Sequence, residues 1–130
     1  RDDGITNKMA HLYQKQEGYD WSRNMLYVKN SIEALLQCKF NYALINYYRD
    51  GKDYIAFHSD GEAAQKHTNV VASVSLGGAR RFVFRHCEWK KSKIAKKEFL
   101  LQSGCLVVMK DDTQKKWKHS IPKSAKPQQP

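Results

Sequence analysis

His58-Ser59-Asp60, with His119 far downstream, is the set of residues in this chain best suited to chemistry. Two imidazoles and one carboxylate are the donor set that holds non-haem Fe(II) on one face and leaves other coordination positions open. His58 and Asp60 stand two residues apart, and side chains alternate along a β-strand, so a strand there would point both the same way. A second histidine from a distant strand folded alongside would complete the set. The chemistry open to such a site is oxygen activation. An H-x-D tripeptide also arises by chance. Read singly, His58 and Asp60 fit a surface turn, and His119 fits a satisfied core histidine. The flanking segments must decide.

The elements that position these residues come from a chain of 130 residues, enough for one domain with a core. Hydrophobic residues make up 41% and charged residues 28%, a globular balance. No apolar run approaches the roughly 20 residues of a membrane span, and no leader is visible. The first residue is Arg1, from which we expect a chain incomplete at its ends. Cys38, Cys87 and Cys105 are odd in number and widely spaced. They suggest neither a disulfide framework nor a zinc site, and fit a reduced intracellular compartment, nucleus or cytoplasm. Cys38 and Cys105 lie in apolar surroundings and read as packed thiols. The net charge of +10 points to a polyanionic partner, nucleic acid first. The bland alternative is a solvated basic surface. The run Lys90-Lys91-Ser92-Lys93 through Lys96-Lys97 reads as an exposed loop that would contact phosphates without reading bases.

Residues 1–25 are polar and irregular, with Tyr13, Tyr19 and Trp21 among them. A short helix follows, with Asn30 as its cap, Glu33 completing a capping box, and Ile32, Leu35 and Leu36 as its apolar face. The remainder reads as strands. These are 40–48 (FNYALINYY), ended by Asp50-Gly51, then 54–58 (YIAFH), and VVASVSLGG, where Ala72, Val74 and Leu76 alternate with Ser73 and Ser75. RFVFR at 81–85 puts Phe82 and Phe84 on one face. FLLQSGCLVVM at 99–109 is interrupted by Gly104, a bulge or tight bend. Trp117 to Ile121 is the last strand, and 122–130 is a polar loop. The fold class is α+β, mainly β: a short helix before an antiparallel sandwich or barrel.

Four segments carry a resemblance: FNYALINYYRDGKDYIAFHSDGE, ASVSLGGARRFVFRH, SGCLVVM and TQKKWKHSIPK. They closely resemble the AlkB family of Fe(II)/2-oxoglutarate-dependent nucleic-acid demethylases, and its eukaryotic repair members most. The resemblance covers roughly residues 40–130, and more loosely 5–25. It implies a double-stranded β-helix (jelly-roll) in a single domain over 1–130, with 1–25 part of a nucleotide-recognition lid and 40–130 the core. It implies His58, Asp60 and His119 as iron ligands, and Asn46 and Tyr48 as the N-x-Y pair that hydrogen-bonds the co-substrate 2-oxoglutarate.

Glu62 matches the family's acidic residue beside the flipped base, where a carboxylate favours a cationic lesion such as 1-methyladenine or 3-methylcytosine. Gly61 departs from the usual acidic residue there. Tyr19-Asp20-Trp21-Ser22 resembles the lid segment in which an aromatic stacks on the flipped base, worth about 1–3 kcal/mol; a core role for Trp21 stands beside it. His11, His67 and His86 have no such context and read as surface residues. The family continues past its distal histidine into R-x-N-x-T-F-R, whose first arginine pairs with 2-oxoglutarate, and that run is not among these residues. The activity implied is oxidative demethylation of N-alkylated bases in DNA or RNA, consuming O2 and 2-oxoglutarate and releasing succinate, CO2 and formaldehyde. The expected protein is a monomer with no membrane association. The alternative is a weak or inactive nucleic-acid-binding module of the same fold.

Overall fold

A computed structural model describes residues 20–61 and 70–125. The chain divides into two compact units, Arg1–Phe40 and Asn41–Pro130. In the first, helix α1 runs Arg23–Leu36. Ser22 has extended backbone angles, and its Oγ accepts from the Met25 amide at 3.3 Å, so Ser22 is the N-cap. The helix therefore starts well before the Asn30 expected as its cap, and Asn30 lies mid-helix. Trp21, Met25, Val28, Ile32 and Leu36 recur every three or four residues and form the half-buried stripe that carries the helix back to Ser22. Leu35, expected on that stripe, is exposed. Glu33 closes no capping box. It is buried, pairs with Lys29 at 2.8 Å and Lys39 at 3.0 Å, and accepts from the Phe40 amide. Those bonds hold its carboxyl well below the usual carboxylate range.

The second unit is antiparallel β. Its strands are β1 (Ile55–His58), β2 (Val71–Val74), β3 (Arg80–His86), β4 (Lys97–Leu101), β5 (Leu106–Met109) and β6 (Trp117–Ile121). Single helical turns α2 (Trp89–Ser92) and α3 (Thr113–Lys116) precede β4 and β6. One sheet has the order β1-β6-β3-β4, and a second pairs β2 with β5. The core unites the two sheets. Phe82 from β3, Leu101 from β4 and Met109 from β5 are buried together, with Val71, Phe84, Val107 and Ile121 packed on them. The expectation of a mainly β, antiparallel protein with a helix ahead of it holds.

Three details differ from the sequence reading. The segment 99–109 is two strands in different sheets, because Gly104 at φ 86° turns the chain from β4 into β5. In β2 no alternation survives: all four residues are half-buried, and Leu76 lies beyond the strand and is exposed. Residues 40–48 join no ladder among the described residues. Their aromatic and branched side chains suit a pleated, half-buried surface, yet Tyr42, Leu44, Ile45 and Tyr47 are exposed. His86, expected at the surface, is half-buried with its ring edge-on to Trp117. His11 and His67 lie outside the described residues.

Candidate metal centre

Strand pairing creates the centre. β1 and β6 run antiparallel with His58 directly opposite His119, and His119 in turn faces Phe84 of β3. Directly opposed residues share a face, so the two imidazoles meet with ring centroids 4.2 Å apart. A register irregularity between Ile55 and His58 sets this alignment. β1 ends at His58, so Asp60 is not aimed by strand alternation as the tripeptide suggested. Gln114 of α3 aims it instead: the Asp60 amide donates to Gln114 Oε1 at 3.0 Å, and Gln114 Nε2 donates to Asp60 Oδ2 at 2.7 Å. Between the two, Ser59 Oγ donates to the Trp117 carbonyl.

Asp60 Oδ1 lies 3.7 Å from Nε2 of His58 and 3.7 Å from Nε2 of His119. These separations are too long for hydrogen bonds. One ligand atom from each residue falls within 4.8 Å of the others, an arrangement that could hold a metal ion. The protonation chemistry fits a metal. His58 Nδ1 sits 2.8 Å from the Ala56 carbonyl, which can only accept, so Nδ1 donates there and Nε2 is the ring nitrogen that faces Asp60. His119 is 5% exposed, stacked against Phe82. Burial pushes its pKa down to about 4; the Asp60 carboxylate opposes that fall and the neighbouring His58 adds to it. His119 is thus neutral at pH 7 and need lose no proton to bind a cation. Two imidazoles and one carboxylate suit Fe(II).

Tyr48 is half-buried beside the sheet, and Asn46 is exposed two residues before it. The Arg80 guanidinium lies 5.2 Å from the Tyr48 ring centroid, and burial raises the Tyr48 phenol while Arg80 partly offsets it. Arg80 is itself buried and donates to the carbonyls of Asp50, Asp53 and Pro122. It thereby ties the segment entering β1 to the residue that follows β6. Trp21 belongs to the first unit, where Lys29 Nζ sits 5.5 Å from its ring. Tyr19 and Glu62 lie outside the described residues.

The lysine run is one helical turn and the chain after it, exposed from Trp89 to Leu100. Cations there lie over aromatic rings: Arg85 over Phe57 at 4.0 Å, Lys90 over Trp89 at 5.7 Å, and Lys97 over Trp117 at 5.5 Å. Cys38, Cys87 and Cys105 are all free thiols, with Cys38 and Cys105 half-buried. No helix among the described residues is long and apolar enough to cross a membrane.

Gln114 and Arg80 were missed by sequence reasoning. For Gln114 no signal existed, because its partner Asp60 is 54 residues away. For Arg80 a faint one did: it shares strand parity with the apolar Phe82, so an Arg was destined for the inner face.

Residues 4–130 match the model of the 2OG-Fe(II) oxygenase superfamily. The human DNA oxidative demethylase ALKBH2 is 34% identical over 99 residues, 73% of this chain and 38% of that protein. Its Bos taurus counterpart is 32% identical over 125 residues, 93% of this chain and 44% of that protein. The Bos taurus alpha-ketoglutarate-dependent dioxygenase alkB homolog 3 is 31% identical over 115 residues, 85% of this chain and 40% of that protein. The chain therefore spans less than half the length of these curated relatives.

Proposed function

The chain belongs to the 2OG-Fe(II) oxygenase superfamily, as a member of its AlkB family, and from that premise we propose that it demethylates N-alkylated bases in nucleic acid. The observation that carries this reading is the convergence of His58, Asp60 and His119, whose ligand atoms lie within 4.8 Å of one another. In this reading those three residues hold Fe(II). Bound there, Fe(II) would supply oxygen activation, coupled to decarboxylation of 2-oxoglutarate to succinate and CO2 and to hydroxylation of the N-methyl group, which would leave as formaldehyde.

The rest falls to the protein's own residues. Asn46 and Tyr48 hydrogen-bond 2-oxoglutarate, with Tyr48 braced by Arg80. Trp21 and Tyr19 stack on the flipped base, and Glu62 faces its edge, favouring cationic 1-methyladenine or 3-methylcytosine over neutral bases. The lysines of 90–97 contact phosphates, in keeping with the net charge of +10. The fold in this reading is a double-stranded β-helix, in one domain over 1–130. The protein works as a monomer inside the cell, in nucleus or cytoplasm, where free thiols persist.

The test is an assay of the full-length protein with Fe(II), 2-oxoglutarate and ascorbate on oligonucleotides carrying either lesion. Methyl loss with matching formaldehyde is the expected result. Metal uptake without methyl loss from any DNA or RNA substrate would instead mark a binding module of the same fold.

A further inference from the structure

We propose that Gln114 is a positioning residue that fixes Asp60 as a one-oxygen metal ligand. This rests on reading His58, Asp60 and His119 as the ligand set. Gln114 is 8% exposed, on the single turn that leads into β6. Its amide grips Asp60 twice: Oε1 accepts from the Asp60 backbone amide, and Nε2 donates to Oδ2. The same Nε2 lies 3.4 Å from Met109 Sδ in the core cluster, so the clamp is anchored in the packed interior. The two carboxylate oxygens are thereby given different tasks. Oδ2 is turned to the amide, and Oδ1 faces both imidazole Nε2 atoms at equal 3.7 Å distances.

A carboxylate free to rotate could offer both oxygens to a metal and fill a position that a co-substrate or O2 needs. Gln114 resists that rotation by holding Oδ2, and by pinning the backbone it keeps Oδ1 in place. A glutamine suits the task because one side chain supplies both a donor and an acceptor. Outer-sphere partners of this kind typically change metal affinity by about 10–100-fold.

The test is Co(II) binding to the metal-free full-length protein, followed by calorimetry and by the visible absorption of the bound ion. Gln114→Met keeps the volume and the contact with Met109 and removes both hydrogen bonds. We expect its Co(II) affinity to fall about 10–100-fold, with visible bands altered in position and intensity as the coordination number changes. A merely structural role would lower the melting temperature of the metal-free protein and leave the affinity and spectrum of the folded protein at wild-type values; that result overturns the proposal. Should the Met variant lose its sheet signal in the far ultraviolet, Gln114→Glu carries the measurement, since it keeps the length and the acceptor and replaces only the donor. Wild-type affinity in that variant likewise overturns it. Wild-type protein that is folded and takes up no Co(II) sinks the ligand assignment itself, a separate failure.

Discussion

The three candidate ligands differ in how deeply they sit, and their variants should differ accordingly. His58 and Asp60 have side chains 32% and 26% exposed, whereas that of His119 is 7% exposed. His58→Ala should abolish metal binding with little loss of stability. His119→Ala removes a ring stacked on Phe82, and should cost about 1–3 kcal/mol besides the metal. Thermal melting of the two metal-free variants separates them; equal melting temperatures would contradict the buried placement of His119. Asp53 makes a pH prediction. It accepts from the Arg49 amide and guanidinium, which hold its carboxyl well below the ordinary range. Its folded pKa is depressed, so its stabilisation is present above the unfolded value of about 4 and is lost as pH falls towards the folded one. Asp53→Asn should therefore be less stable than wild type at pH 7, and the gap should close in acid; a gap independent of pH in denaturation curves would contradict this. At this scale the meeting of His58, Asp60 and His119 was legible from residue types, the H-x-D spacing and the flanking segments that resemble the family. Gln114 was not, because its role comes wholly from a contact that folding makes.

Elements are held by a few local devices, each open to substitution. A Cβ at Gly51 would run into the Ser124 carbonyl, while the Ser124 amide donates to the Gly51 carbonyl at 2.7 Å. Gly51→Ala should thus part the turn before β1 from the segment after β6, at a cost of about 1–3 kcal/mol in chemical denaturation. A neutral outcome would mean that the two segments separate freely. Ser22→Ala should cost α1 about 1 kcal/mol and reduce far-ultraviolet helicity, since the Met25 amide loses its cap. Strands 55–58, 80–86 and 117–121 were legible from short apolar or aromatic runs bounded by turns. The start of α1 was not, because Ser22 and Asn30 are equally good caps on local rules and only the stripe from Trp21 to Leu36 chooses between them. The division of 99–109 between two sheets was half-legible: Gly104 marked the break, but a change of sheet is a long-range event. Residues 40–48 have strand-like composition, but composition supplies no edge for them to pair with.

At the scale of the whole molecule, charge and family membership bear on the partner. A net charge of +10 and an exposed lysine run predict nucleic-acid binding that weakens steeply with salt. Lys90→Glu or Lys91→Glu should weaken binding alike across sequences and reduce the slope of log affinity against log salt by about 1 each. An unchanged slope would remove that face from the interface. Composition raised this expectation before any fold was known, though not which face would carry it. Membership in the 2OG-Fe(II) oxygenase superfamily is what makes oxygen and 2-oxoglutarate the proposed chemistry, and the meeting of β1 with β6 is the place proposed for it. The most direct test compares wild type with Asp60→Ala in the full-length protein, following a 1-methyladenine oligonucleotide by mass spectrometry with Fe(II) and 2-oxoglutarate present. Wild type should lose one methyl for each succinate formed, and Asp60→Ala should lose none while staying folded. Full demethylation by Asp60→Ala would contradict the metal centre proposed here.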